Sequence, residues 1–300
     1  MIKYNLKSMK VKIILIFLIG VILSGCATVY NPATGREELI FIDTPQEVAI
    51  GNRVAYQVER QYRISQDPAL NERLNIIGKN IAQVCERQDV KYRFFVIREK
   101  EINAFSIPGG YVYVNSGLME KNSDDELAGV LAHEIAHVAA RHSIKKMQAV
   151  MGYNLLMSLA FSHSEAVEVE RTVGIAMNLV SLGYEREDEK EADRLAVRYT
   201  YKAGYDPYAI ITMLEKLQKL EREDPLSTVV FLRSHPPAKE RISIVEQELA
   251  NLSIPQEGIK RMPNSEGIQP KEKFCPECGE YYPNKSSFCI KDGTKLKYTK

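Results

Sequence analysis

The stretch AGVLAHEIAHVAARH (residues 128–142) places two histidines four positions apart, with a glutamate beside the first. On an α-helix, residues i and i+4 share one face, so His133 and His137 can present both imidazoles to a single metal ion. Glu134 stands one residue round the helix, where a carboxylate reaches a water on that ion rather than the ion itself. H-E-x-x-H is thus a division of labour between two ligands and a general base.

A helix is the expected setting. Ser123 precedes the stretch with Glu126 three residues on, a capping box, and acidic residues fill the first turn, where the helix dipole favours them. Leu127, Val130, Leu131 and Ile135 give this helix an apolar face that the histidines interrupt. An unpaired imidazole there would be poorly solvated and needs a partner. Arg141 and His142 read as packing groups or as supports behind the ligands.

Catalytic zinc usually has three protein ligands and one open position. EKEAD (residues 189–193) offers the third: Glu189 and Asp193 are four apart and share a helix face, and Ala192 between them leaves room for close packing. Glu189 would be a ligand and Asp193 the hydrogen-bond partner behind a ligand histidine. The competing reading is a solvated acidic patch, because Glu185, Glu187, Asp188 and Glu191 are nearby.

Outward from these helices, the chain reads as α+β and mainly α. Helices are expected from about Gln46, with Thr44 or Asp43 as N-cap, and after Asp67-Pro68, where apolar residues at 70, 74, 77, 81 and 84 mark one buried face. Cys85 beside that face reads as core. YRFFVIRE and YVYVNSG have the composition of strands, joined by KEINAFSIPGG. The apolar tracts 149–161 and 173–183 are too short and too polar to span a bilayer and read as core or lid helices. Three more helices follow, over 185–204, 207–223 and 237–252. The 40 basic and 39 acidic residues leave a net charge of only +1, which argues against a nucleic-acid partner.

Both ends carry separate signals. A basic start and the apolar run VKIILIFLIGVIL lead into LSGC, ending at Cys26. This resembles the lipobox of bacterial lipoproteins, which implies cleavage before Cys26, lipid on that residue and attachment to a lipid membrane. An ordinary secretory signal is the alternative. Ala27, rather than aspartate, points to the outer membrane where a cell has two. At the other end, Cys275, Cys278, Cys289 and Asp292 form C-x2-C, ten residues, C-x2-D, close to a zinc ribbon. A structural zinc held by three cysteines and an aspartate is one reading, and a Cys275–Cys278 or other disulfide is the competitor. The expected organisation is a signal peptide (1–25), a tether (26–45), a catalytic domain (46–252), a linker (253–272) and a zinc-ribbon-like module (273–300).

NAFSIPGGYVYVNSGL, HEIAHVAARH, EKEADRLA and SHPPAKERI occur in an order that resembles the HtpX-like and CAAX-prenyl-protease-like zinc metallopeptidases, in their periplasmic and lipoprotein branch. The resemblance covers about residues 46–250 and implies a gluzincin-like domain with one catalytic zinc. His133, His137 and Glu189 would bind the ion, Glu134 would be the base, and Asp193 would sit behind a ligand. His235 is similar to a histidine that steadies the oxyanion or fills the open position in a resting state, with Arg241 nearby. The strand Gly109-Gly110-Tyr111-Val112-Tyr113 is expected to pair with an extended substrate, its glycines permitting close approach. The implied activity is endopeptidase cleavage of unfolded or misfolded envelope polypeptides. The competing reading is a non-proteolytic envelope chaperone or assembly factor that keeps the fold and the metal.

Overall fold

The computed structural model describes residues 28–161, 183–223, 235 and 238–254, together with residues 273–274, 281–282 and 297–298. Eight strands and eight helices fall among the described residues. The described residues open with a hairpin, β1 (Thr28–Asn31) and β2 (Arg36–Leu39), paired antiparallel. Helix α1 (Thr44–Gln61) starts at Asp43, which forms a full capping box with Gln46, and α2 (Pro68–Val84) starts at Asp67 with proline in the first turn. Both starts are as the sequence predicts.

A three-stranded sheet follows: β3 (Arg93–Ile97), β4 (Ala104–Ile107) and β5 (Tyr111–Asn115). Its order is β3-β5-β4, with β5 parallel to β3 and antiparallel to β4. Side chains alternate between faces. Phe94, Val96, Ala104, Val112 and Val114 join the core formed with α2 and the central helices. Ile97, Ile107, Tyr111 and Tyr113 join a second core with Val54, Ala55 and Val58 of α1. With apolar layers on both faces, every residue of β5 is buried.

After the short α3 (Ser116–Lys121) comes α4 (Asp124–Ala139), capped by Ser123 and Glu126 as expected. Here the structure departs from the one-faced helix of the sequence reading. Every residue of α4 from Glu126 to Ala139 is buried, so it is the central rod of the domain. Helices α5 (His142–Phe161), α6 (Arg186–Lys202), α7 (Ala209–Glu223) and α8 (Ala238–Asn251) follow. Ala128, Ala132 and Ala136 of α4 share a core with Ala192 and Ala196 of α6, and such small side chains let two helix backbones come close. Gly129 serves α7 in the same way: a Cβ there would lie 2.6 Å from Cγ1 of Ile210.

Three expectations are corrected. The stretch read as a tether carries the β1–β2 hairpin, which is tied to the domain by Asn31 Nδ2 donating to the Ala139 carbonyl and Lys145 donating to Glu38. The connection KEINAFSIPGG contains strand β4, too short to show a period of its own. Finally, Tyr111, Val112 and Tyr113 cannot pair with a substrate strand, because β5 is hydrogen-bonded on both edges. Gly109 and Gly110, at φ +80° and +87°, make the β4–β5 turn, and the backbone that approaches them is the protein's own: a Cβ on Gly110 would meet the Lys91 carbonyl at 2.8 Å.

Cys26 and the cluster Cys275, Cys278, Cys289 and Asp292 lie outside the described residues, as does residue span 173–182 of the second apolar tract. Near that cluster the described pieces are β6 (Lys273–Phe274), β7 (Tyr281–Tyr282) and β8 (Lys297–Tyr298), in the order β7-β6-β8. No helix among the described residues is long and apolar enough to cross a membrane.

Candidate metal centre

The packing of α6 on α4 brings the two separated motifs together. Nε2 of His133 and Nε2 of His137 lie 3.0 Å apart, and the Glu189 carboxylate lies 3.4 Å from each of them. His235 enters from outside the helices, with Nδ1 at 3.3 Å from His133 Nε2 and 2.7 Å from Glu189 Oε1. One donor atom from each of these four residues lies within 4.8 Å of all the others, and all four residues are buried. A tetrahedron with zinc-to-nitrogen arms of roughly 2.0–2.1 Å has edges of about 3.3 Å, close to the separations observed. Imidazole nitrogens with a carboxylate oxygen also suit zinc chemically.

Among the described residues, two buried carboxylate oxygens at this centre, Glu134 Oε1 and Glu189 Oε2, have no hydrogen-bond partner. A buried anionic oxygen without a donor is costly unless a cation compensates it. Both the spacing and these acceptors therefore fit a divalent ion. Glu134 is held from its other side, where Oε2 accepts a 2.9 Å hydrogen bond from Ser106 Oγ on β4. Its Oε1 faces His235 Nε2 at 3.6 Å.

Behind the first histidine, Asp193 Oδ1 lies 3.0 Å from His133 Nδ1. Arg241 grips the same carboxylate with two donors, Nη2 to Oδ1 at 2.7 Å and Nε to Oδ2 at 3.0 Å. Burial opposes the Asp193 charge, but Arg241 and His133 outweigh it and hold the carboxyl below its usual range. Burial and Arg241 push the His133 imidazole down, yet Asp193 and Glu189 prevail and raise it to about 9. Burial drives His137 the other way, well below the ordinary histidine value. The Glu189 carboxyl is also well below its usual range: burial resists, but His235 and the close approach of His133 and His137 win.

All seven residues singled out for this centre, His133, Glu134, His137, Glu189, Asp193, His235 and Arg241, thus converge. The sequence reading missed two neighbours. Ser106 lay in a stretch taken for a connection. The Tyr184 ring stacks on His137 with centroids 3.7 Å apart and planes 12° from parallel, and its hydroxyl is 2.8 Å from Ser143 Oγ. No spacing signal marks a single tyrosine five residues ahead of Glu189.

Residues 68–249 match peptidase family M48. The chain is 28% identical over 211 residues to the beta-barrel assembly-enhancing protease of Escherichia coli (strain K12), covering 66% of this chain and 42% of the relative. It is 26% identical over 254 residues to the metalloprotease LoiP of the same organism, covering 81% of this chain and 98% of LoiP. It is 32% identical over 184 residues to the mitochondrial metalloendopeptidase OMA1 of Schizosaccharomyces pombe, covering 60% of this chain and 53% of that protein. The chain therefore spans less than half the length of the assembly-enhancing proteases that it matches. Family M48 proteases use zinc, and the matched span contains the histidine pair, the glutamates and His235. The chain belongs to peptidase family M48.

Proposed function

We propose that the protein is a membrane-anchored, zinc-dependent endopeptidase acting on unfolded or misfolded polypeptides of the bacterial cell envelope. The observation that carries this reading is the convergence of His133, His137 and Glu189 at tetrahedral spacing, with Glu134 Oε1 buried beside them. His133, His137 and Glu189 would hold the ion. When bound, zinc supplies a Lewis acid that polarises the scissile carbonyl and makes a bound water more acidic.

The remaining steps belong to the chain. Glu134 takes a proton from the attacking water and delivers it to the leaving amine nitrogen. Ser106 keeps the other carboxylate oxygen occupied, so the base presents one defined oxygen. Asp193, clamped by Arg241, holds the His133 ring so that Nε2 faces the site. His235 acts as a removable fourth ligand that closes the centre in the resting protein and moves away when substrate enters. Substrate pairs in extended form with the outer edge of β4, which has no strand partner among the described residues and whose Ser106 already touches the base. Main-chain pairing of that kind selects extended, unfolded segments. Lipid on Cys26 anchors the protein to the membrane, at the periplasmic face of the outer membrane in a two-membrane cell. A second, structural zinc at Cys275, Cys278, Cys289 and Asp292 is part of the same proposal and rests on spacing alone.

The test is zinc content and casein cleavage of the detergent-solubilised full chain, for wild type, Glu134→Gln and His235→Ala. Equal zinc in wild type and Glu134→Gln, with cleavage lost only in the latter, is expected. Cleavage that appears only in His235→Ala supports the closed resting state. Zinc without cleavage in all three would favour the chaperone or assembly-factor reading, and the absence of zinc would end the metal reading altogether.

A further inference from the structure

His133 has a carboxylate behind it, but His137 does not. Its Nδ1 instead lies 2.8 Å from Nδ1 of His142, the first residue of α5. His142 is fully buried, and its Nε2 lies 3.1 Å from Glu191 Oε2 and 3.6 Å from Asp188 Oδ1. We infer that His142 and Glu191 form a relay that fixes the ring tautomer of His137 and leaves its Nε2 bare for a metal ion. The inference rests on the reading of His137 as a ligand.

The proton positions follow from counting donors and acceptors. A metal-binding Nε2 on His137 requires the proton on Nδ1, which must then donate to an acceptor. The atom facing it is His142 Nδ1, which accepts only if the His142 proton sits on Nε2. That nitrogen faces two carboxylates among the described residues. Each N–H in the row therefore meets an acceptor. If the carboxylate is removed, His142 is free to carry its proton on Nδ1. Two donors would then confront each other across 2.8 Å. His137 relieves that clash by moving its proton to Nε2, the atom the ion needs.

The backbone is arranged to make this contact. Between α4 and α5, Arg141 adopts φ +57°, in the left-handed region that a non-glycine residue avoids. That reversal turns the start of α5 so that His142 comes back against His137, five residues earlier. Arg141 is held there by an ion pair to Glu47 at 3.1 Å and a 2.8 Å hydrogen bond to the Ile42 carbonyl. At the far end of the row, Glu191 Oε1 pairs with Arg36 of the β1–β2 hairpin, which leaves Oε2 for His142. The Arg36 side chain is 62% exposed, so this last link is a minor one.

The experiment measures zinc affinity of the full-length protein by competition with a chelating dye, alongside the visible spectrum of the cobalt-substituted form. Glu191→Leu and His142→Phe are expected to weaken zinc binding about 10- to 100-fold, the range usual for partners of ligand histidines. Glu191→Gln and His142→Gln keep an acceptor oxygen and are expected to bind within about threefold of wild type. Cobalt spectra in the two weakened variants should show the loss of a nitrogen ligand, as in His137→Ala. A purely structural role would not be rescued by the acceptor-preserving variants. If His142→Phe does not fold, Glu191→Leu carries the test, since Glu191 is only half-buried whereas His142 is fully buried. Wild-type affinity in Glu191→Leu, while His137→Ala loses the ion, overturns the relay and leaves the metal centre standing. No zinc bound by wild type, or none lost in His137→Ala, overturns the ligand reading and the relay with it.

Discussion

Ser106 Oγ, on strand β4, donates a 2.9 Å hydrogen bond to Oε2 of Glu134 on helix α4, with both residues buried. One carboxylate oxygen is thereby anchored to the sheet, while Oε1 is left facing the metal-ligand cluster. Replacing Ser106 with alanine frees the carboxylate to rotate. The expected result is a fall in kcat of about tenfold, or about 1.4 kcal/mol in the barrier, with KM and zinc content unchanged. Steady-state kinetics on a fluorogenic peptide checks this, and an unchanged kcat would remove Ser106 from the mechanism.

Removing the metal should loosen the whole domain. His133 and His137 come from α4, Glu189 from α6, and His235 from the segment before α8, so one ion bound by all four would tie separate parts of the chain together. Chelation is expected to abolish cleavage and to lower Tm. Added zinc should restore Tm progressively, by about 2.7 kcal/mol of stability at a hundred times Kd. Thermal melts at a series of free zinc concentrations provide the measurement. A Tm indifferent to zinc counts against a shared ion.

A second buried charge cluster is structural. Arg87 pairs with both oxygens of Glu47, at 2.7 and 3.1 Å, and donates to the Val138 carbonyl near the end of α4 at 2.8 Å. Both side chains of this pair are almost fully buried. Arg87→Ala is expected to cost about 3 kcal/mol, because it leaves a buried carboxylate short of a partner and a helix carbonyl uncapped. Urea denaturation would show the loss directly. A shift below about 0.5 kcal/mol, the usual size for a neutral surface change, would mean that water replaces the guanidinium.

The cap of α4 supplies a pH-dependent contribution. Glu126 accepts from the Ser123 backbone at 2.8 Å and pairs with Lys216 at 2.7 Å. Burial opposes its charge, but these partners hold the carboxyl below its ordinary value near 4.5. A carboxyl with a depressed folded-state pKa stabilises the fold above its unfolded pKa and loses that contribution as pH falls through the folded value. Glu126→Gln keeps the capping geometry and removes only the charge, so about 0.5 kcal/mol is expected at neutral pH. The gap between wild type and variant should hold down to about pH 5 and close in more acidic buffer. Chemical denaturation across that range measures it, and a gap that widened on acidification would reverse the sign argued here.

What could be read in advance was local. Asp43, Asp67 and Ser123 each marked the start of a helix, because a cap and its target amide lie within three residues. His133 and His137 share a face by helix geometry alone. Glu189 and Asp193 were legible for the same reason, although nothing local distinguished them from a solvated patch. Burial under α4 made that distinction, since Glu189 is 1% exposed and Asp193 fully covered.

The strand carrying Ser106 escaped notice because four residues are too few to show alternation, and the substrate strand was misassigned because strand order has no local signature. YVYVN advertises a β-strand, but only its pairing on both sides, with Phe95 and Phe105 each stacked 5.2 Å from Tyr113, makes it central rather than an edge.

Legible in the sequence, then, were which residue types lie on which helix face, where most helices start, and that two histidines at metal-ligand spacing have a glutamate beside them. Those properties follow from a repeat of 3.6 residues per turn and from caps that act over one turn. Only the packing of elements brings Glu189 to His137, Ser106 to Glu134 and His235 to the cluster, and turns His142 back against His137. Each of those contacts, except the last, joins residues far apart in the chain and depends on how whole elements pack. The last depends on a single left-handed residue, Arg141, whose conformation is imposed by Glu47 and Ile42 across the domain.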